Sequence, residues 1–199
     1  MFSGIVEAMG KVVSIEKKQE NIDISITCPF VNELRVDQSV SHNGVCLTVV
    51  RKTADSYTVT AIKETLDKSS LGQLQVGSLV NLERSVSANG RFDGHVVQGH
   101  VDQTAVCTKV EEADGSWYYT FEYDFKNPDH VTVEKGSISV DGVSLTVVNS
   151  RDNSFQVAII PYTYENTIFH TYKPGTVVNI EFDILGKYIA KIVRQVLDK

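Results

Sequence analysis

The chain lacks the features that would direct it to nucleic acid, a membrane or a metal. Its 199 residues carry 19 Lys and Arg against 25 Asp and Glu, a formal net charge of −6. No basic stripe exists to neutralise phosphates, so a nucleic-acid role is set aside. Three cysteines, Cys28, Cys46 and Cys107, are an odd number without metal-type spacing. That usage fits a reducing compartment, so a cytoplasmic location is expected. The opening MFSGIV has no basic region and leads into no long apolar run, so neither a signal peptide nor a membrane span is expected. What remains is ordinary for a globular chain with a proper core: 42% apolar and 22% charged residues.

What is present is a repeat. SVSHNGVCLTVV at 39–50 aligns without a gap on SISVDGVSLTVV at 137–148, an offset of 98, and eight of the twelve positions are identical. The same offset pairs Ile62 with Ile160, Thr65 with Thr163, Gly77 with Gly175, Asn81 with Asn179 and Glu83 with Glu181. One register held over more than forty residues means a duplicated domain with two related binding sites. Halving the chain gives units of about 100 residues, a common domain size. The expected division is 1–95, 96–184 and a terminal segment 185–199.

Nearly every segment reads as a short strand. Runs at 11–15, 22–27, 46–51, 56–61 and 78–84 are rich in Val, Ile, Thr and Tyr, and the second half repeats them at 106–110, 117–123, 144–149, 155–159 and 176–183. Their spacing points to a small antiparallel barrel in each half. Helical turns are expected at 64–71 and 164–170, and an exposed junction at 87–94, where Gly and Asn gather. The end of the chain differs. Leu185, Tyr188, Ile189, Ile192, Val193, Val196 and Leu197 form an apolar stripe of helical period, with Lys187, Lys191 and Arg194 on the other face. Such a helix packs either on its own barrel or against another subunit; two closed barrels leave little core for it to cover, which favours the second.

Four stretches carry candidate chemistry. In the first, a turn at Gly44 or Gly142 feeds a strand led by Cys46 in one half and Ser144 in the other. Cys46 alone would read as a small buried hydrophobe. The repeat argues against that, because Cys46/Ser144 and Asn43/Asp141 are polar-for-polar exchanges in a fixed frame. The second stretch is GHVVQGHVD at 94–102. Two histidines five apart diverge on strand or helix, and no Cys or carboxylate completes a zinc set. A His beside Gly suits acid/base work or hydrogen bonding near pH 7, against a structural reading that is stronger for His95 than for His100. MFSGIV at 1–6 aligns with 96–101 at an offset of 95, so Ile5 stands where the second half has His100. The third stretch is Thr60 to Thr65 with its copy at 158–163, strand ends able to offer backbone groups to a flat heterocycle or simply edge strands. The fourth, around Glu83 and Glu181, reads as structural.

Taken together, MFSGIV, HNGVCLTV at 42–49, KETL at 63–66, GHVVQGHVD at 94–102, DGVSLTV at 141–147 and GKY at 186–188 resemble riboflavin synthase over essentially the whole chain. The resemblance implies an all-β fold of two similar six-stranded antiparallel Greek-key barrels plus a C-terminal α-helix. It implies a homotrimer and conversion of two molecules of 6,7-dimethyl-8-ribityllumazine into riboflavin and 5-amino-6-(D-ribitylamino)uracil. No metal or redox cofactor is implied, the active site lies between subunits, and lumazine synthase is an added expected partner.

Residue roles follow by motif. The first-half pocket is expected to use Gly4, Ile5, Val6, Cys46, Leu47 and Thr48, together with Thr60, Ala61, Ile62, Lys63, Glu64 and Thr65. The second-half pocket is expected to use Gly99, His100, Val101, Ser144, Leu145 and Thr146, together with Ala158, Ile159, Ile160, Pro161, Tyr162 and Thr163. Lys135 is expected near a neighbouring subunit's ligand. His100, Cys46, Ser144 and Asp141 are expected to handle protons and nucleophiles, with Asp183 and Thr146 assisting. The nucleophile stays open between Cys46, Ser144 and water, and Cys46 would act better as a thiolate.

Two positions depart from the family pattern. Tyr162 stands where a Glu of a Glu-Thr-Leu turn is usual, and Ser3 where Thr is commoner. The alternatives are a lumazine-binding antenna protein, which shares the fold without the chemistry, and a flavin reductase barrel, which would need a nucleotide-binding domain that 199 residues leave no room for.

Overall fold

A computed structural model describes residues 1–125 and 127–197. The first half contains β1 (Ala8–Lys18), β2 (Asn21–Thr27), β3 (Ser39–His42), β4 (Val45–Lys52), β5 (Tyr57–Ala61) and β6 (Leu79–Arg84). They close into a barrel in the order β1-β2-β5-β4-β3-β6. The second half contains β7 (Gln103–Ala113), β8 (Ser116–Tyr123), β9 (Ser137–Val140), β10 (Val143–Val148), β11 (Ser154–Ile159) and β12 (Val177–Phe182). Its closed order, β7-β8-β11-β10-β9-β12, is the same path. All pairings are antiparallel, and the bulge between Val12 and Ser14 recurs between Cys107 and Lys109. Two similar six-stranded barrels are therefore present.

The hairpins β3–β4 and β9–β10 explain why the repeat is so well kept. Asn43 and Asp141 have φ of 46° and 44°, and the glycines after them have φ of 80°. Two successive positive φ values make the tight turn whose twist matches the strands. The turns also abut: a Cβ on Gly44 would lie 2.8 Å from the Gly142 amide nitrogen. β3 and β9 escaped the strand reading because each is only four residues long, with Ser in two positions.

The barrels share a path but not a filling. Val12, Ile24, Ile26, Val49, Val59 and Leu82 pack the first, whereas Tyr119, Phe121, Phe155, Phe169 and Phe182 dominate the second. Edge-to-face contacts such as Tyr119–Phe169, with centroids 5.1 Å apart, suit rings in a closed core.

Helical turns occur near the expected places. α1 (Lys63–Lys68) leads into a 3₁₀ turn at Ser70–Gln73, and α2 (Pro161–Asn166) into another at Ile168–Thr171. α2 starts three residues before the expected 164, because Pro161 at the first helical position needs no amide partner. α3 (Ile184–Leu197) is the terminal helix; Asp198 and Lys199 of the segment 185–199 lie outside the described residues. Lys187 ties it to Asp102 at 2.6 Å, and Arg194 pairs with Asp129. Its apolar stripe is left uncovered by the described residues, with Leu185 and Val196 each 66% exposed. No helix among the described residues is long and apolar enough to cross a membrane.

Candidate active site

The barrels exchange segments at their junction. Residues 1–5 and 95–99 run antiparallel between them, joined by a Phe2–Val97 bridge, with the Phe2 amide donating to the Val97 carbonyl at 2.7 Å. Each segment is held by one barrel and delivered to the other. Glu83, on β6, accepts from the Ser3 and Gly4 amides at 2.7 and 3.0 Å, and the Gly4 carbonyl accepts from the Ser144 amide on β10 at 2.7 Å. Glu181, on β12, accepts from the Gln98, Gly99 and His100 amides at 2.6, 2.8 and 2.8 Å. The Gly99 carbonyl then accepts from the Cys46 amide on β4 at 2.8 Å. Close approach explains the glycines: a Cβ on Gly99 would lie 2.6 Å from that of Cys46, and one on Gly4 2.5 Å from that of Ser144.

Both glutamates are structural, as their sequence context indicates. Burial pushes the Glu181 carboxyl up to about 7 and raises Glu83 as well, while the amide hydrogen bonds oppose the shift.

Strand alternation sets the faces. On β4, Val45, Leu47 and Val49 fill the barrel, so Cys46 and Thr48 look outward. Cys46 lines a cavity of about 250 Å³ with Val45, Gly99, His100 and Val101 on one side and Glu64, Thr65, Lys68 and Ser69 on the other. Larger concavities lie beside the junction segment and on the outer face of the second barrel. Among the described residues, the cavity at Cys46 is the one that unites a part-exposed thiol, a histidine, a carboxylate and an amine. On β10, Ser144 meets a histidine directly, its Oγ lying 2.7 Å from Nδ1 of His95. Burial lowers the His95 pKa, while Asp183 at the end of β12 opposes that shift electrostatically. Each half thus presents an outward polar atom beside a histidine, with different partners.

Comparison with known proteins identifies the frame. The lumazine binding domain family model matches twice, at residues 3–85 and 98–183. A riboflavin synthase of Actinobacillus pleuropneumoniae is 42% identical over 194 residues, spanning 97% of this chain and 90% of that protein. The Bacillus subtilis (strain 168) riboflavin synthase is 40% identical over 196 residues, 98% of this chain and 91% of that one. The chain belongs to the riboflavin synthase family. The crystal structure of LumP complexed with 6,7-dimethyl-8-(1'-D-ribityl) lumazine superimposes with a TM-score of 0.83 over 92% of this chain and 99% of that one. At 23% identity it establishes the shared fold.

Against the residues expected from riboflavin synthase, the geometry makes two corrections. The first concerns grouping. Cys46 shares its cavity with residues 99–101, not 4–6, and Ser144 shares its surroundings with Gly4, because the segments cross at the Phe2–Val97 bridge. The second concerns Asp141. It is 2% exposed, accepts from the Tyr172 hydroxyl at 2.5 Å and the Asn179 amide at 2.8 Å, and sits in the barrel junction. There Asn81 Nδ2 donates to the Asp141 carbonyl and Asn179 Nδ2 to the Asn43 carbonyl, at 3.0 and 2.8 Å. Asp141 is therefore a buried strut of the barrel junction, with its carboxylate engaged by Tyr172 and Asn179.

Other expected residues take varied positions. Leu47, Ala61 and Ile159 point into barrel cores, so only their backbone faces outward chemistry. Thr146, Ile160, Pro161 and Tyr162 are exposed on the second barrel, Tyr162 at 73%. Lys135 lies exposed in a turn with φ of 64°, its amide donating to the Val147 carbonyl. The histidine pair at 95 and 100 separates to the two halves and does not converge on one point. The sequence reading passed over Lys68, one helical turn after Glu64, and took His95 as structural, whereas its ring meets Ser144. His95 has no internal copy, since its aligned position precedes Met1.

Proposed function

We propose that the chain converts two molecules of 6,7-dimethyl-8-ribityllumazine into riboflavin and 5-amino-6-(D-ribitylamino)uracil. A four-carbon unit moves from one to the other, which is the last step of riboflavin biosynthesis. The observation that carries this reading is the pair of barrels with one topology but unlike outward groups, Cys46 with His100 and Ser144 with His95. Two identical substrates need similar cradles and unequal chemistry. Holding two rings in reacting geometry supplies much of the acceleration by itself. The remainder is acid/base work on the C7 methyl proton and on ring opening.

Each barrel is one lumazine unit, within 1–95 and 96–184 apart from the exchanged segments. The first pocket takes 46–48, 60–65 and 99–101; the second takes 4–6, 144–146 and 158–163. His100, Cys46 and Ser144 handle protons and nucleophiles, with Thr146 and Asp183 beside them. The exposed stripe on α3 supports a homotrimer. In it the first barrel of one subunit faces the second barrel of the next and Lys135 reaches the neighbour's ligand. Three free cysteines suit the cytoplasm, and co-sedimentation tests the association with lumazine synthase.

Incubation with 6,7-dimethyl-8-ribityllumazine alone tests the reading. One riboflavin should form for every two lumazines consumed, followed by flavin absorbance. Tight fluorescent binding without turnover would instead identify an antenna protein.

A further inference from the structure

We propose that His95 is the positioning residue that sets the proton of Ser144, giving the second pocket a hydrogen-bonded Ser–His pair that the first lacks. The inference rests on the reading that the second barrel holds a lumazine.

Three constraints converge on this contact. The Ser144 amide is fixed on the Gly4 carbonyl at 2.7 Å, and the His95 amide on the Ser3 carbonyl at 3.1 Å, so both backbones are anchored to the same short segment. Residue 94 must be glycine, because a Cβ there would lie 2.2 Å from the Ser3 carbonyl oxygen and 2.8 Å from Ser144 Oγ. With that space kept clear, Nδ1 of His95 comes to 2.7 Å from Ser144 Oγ, inside ordinary hydrogen-bond range. Among the described residues, the charged group that acts on the ring is the Asp183 carboxylate.

The chemistry follows from the ring's state. Burial holds the imidazole neutral near pH 7, so Nδ1 can accept the hydroxyl proton when Nε2 carries the hydrogen. The Ser144 hydroxyl then directs its lone pairs outward, toward the place where residues 144–146 would meet a ligand. Asp183 stabilises the imidazolium whenever the hydroxyl gives up its proton. In the first pocket Cys46 shares an open cavity with His100, and that histidine is exposed. The two rings would therefore meet differently prepared atoms, which is what a reaction with one donor and one acceptor requires.

The test is steady-state kinetics across pH for wild type, His95→Ala, His95→Asn, Ser144→Ala and the Ala/Ala double variant, with ring-proton titration of His95 by NMR. H95A should lower kcat by about 100-fold, the lower end of the range for acid/base catalysis, with KM changed less than about threefold. The double variant should be no slower than S144A, because the two side chains act as a unit. H95N, whose amide takes the place of Nδ1, should recover part of kcat while losing the acidic limb of the pH profile. The His95 titration should move in S144A. If wild type turns over but the losses of H95A and S144A multiply, or H95N keeps the wild-type pH profile, the assignment is overturned. If wild type itself makes no riboflavin, the reading beneath it fails, and the titration in S144A still decides the pairing.

Discussion

The Tyr172 hydroxyl donates to the Asp141 carboxylate at 2.5 Å, deep in the junction between the barrels. Burial pushes Asp141 up to about 7, against the opposing effect of the Tyr172 and Asn179 hydrogen bonds. A carboxyl whose folded pKa is raised holds its proton more tightly in the native state. Its contribution is complete at low pH and is lost as the pH climbs from the ordinary carboxylate range to about 7.

The variant D141N places there the residue that the first repeat carries at 43. Unfolding by urea at a series of pH values should show the variant gaining on wild type from pH ~4 to ~7, by on the order of 2–4 kcal/mol in total, and level above that. Glu181 shifts the same way and His42 the opposite way, but both are common to the two proteins and cancel in the difference. A pH-independent difference would refute the assignment of Asp141.

Thiol chemistry separates the three cysteines. Burial pushes Cys28 and Cys107 up to about 11, whereas Cys46 is part-exposed in its cavity. Iodoacetamide near pH 8 should label one thiol per chain, at Cys46 by peptide mapping. Excess lumazine should slow that labelling, and C46A should abolish it. Labelling at Cys28 or Cys107 in folded protein would contradict the burial.

Glycine substitutions should separate strain from collision. Gly115 has φ of 87° and open space around it, so G115A should cost about 1–2 kcal/mol from conformation alone. Gly44 has φ of 80° and also abuts Gly142, so G44A should cost a further 1–3 kcal/mol, roughly, from overpacking. Equal losses in thermal unfolding would mean that the turns do not bear on each other.

The α3 stripe is open to a direct test. Changing Ile189 and Ile192, 61% and 57% exposed, to Glu should lower the mass in solution and abolish riboflavin formation while leaving the barrels' melting nearly unchanged. An unchanged mass, or lost barrel stability, would mean the helix serves its own chain.

Much of this was legible in the sequence because it is local. Asn-Gly and Asp-Gly between apolar strands specify their turns, the strand alternation puts Cys46 and Ser144 outward, and the spacing in 185–197 specifies an amphipathic helix. β3 and β9 were missed because four residues are too few to establish a period. The burial of Asp141 was not legible, because its polarity, read in isolation, looks the same in a pocket and in a buried junction. Only its partners Tyr172 and Asn179, 31 and 38 residues away, distinguish the two.

The amino-acid order alone determined that this protein is a doubled barrel with paired polar positions, since those properties reside in neighbours along the chain and in self-similarity. Tertiary structure alone decided which segment lies against which barrel. Gly99 reaches Cys46 because Glu181 of the other barrel grips it by its amides, and Gly4 reaches Ser144 because Glu83 does the same. Those bonds span some eighty residues in sequence, and backbone amides carry no side-chain signature by which a string of letters could announce them.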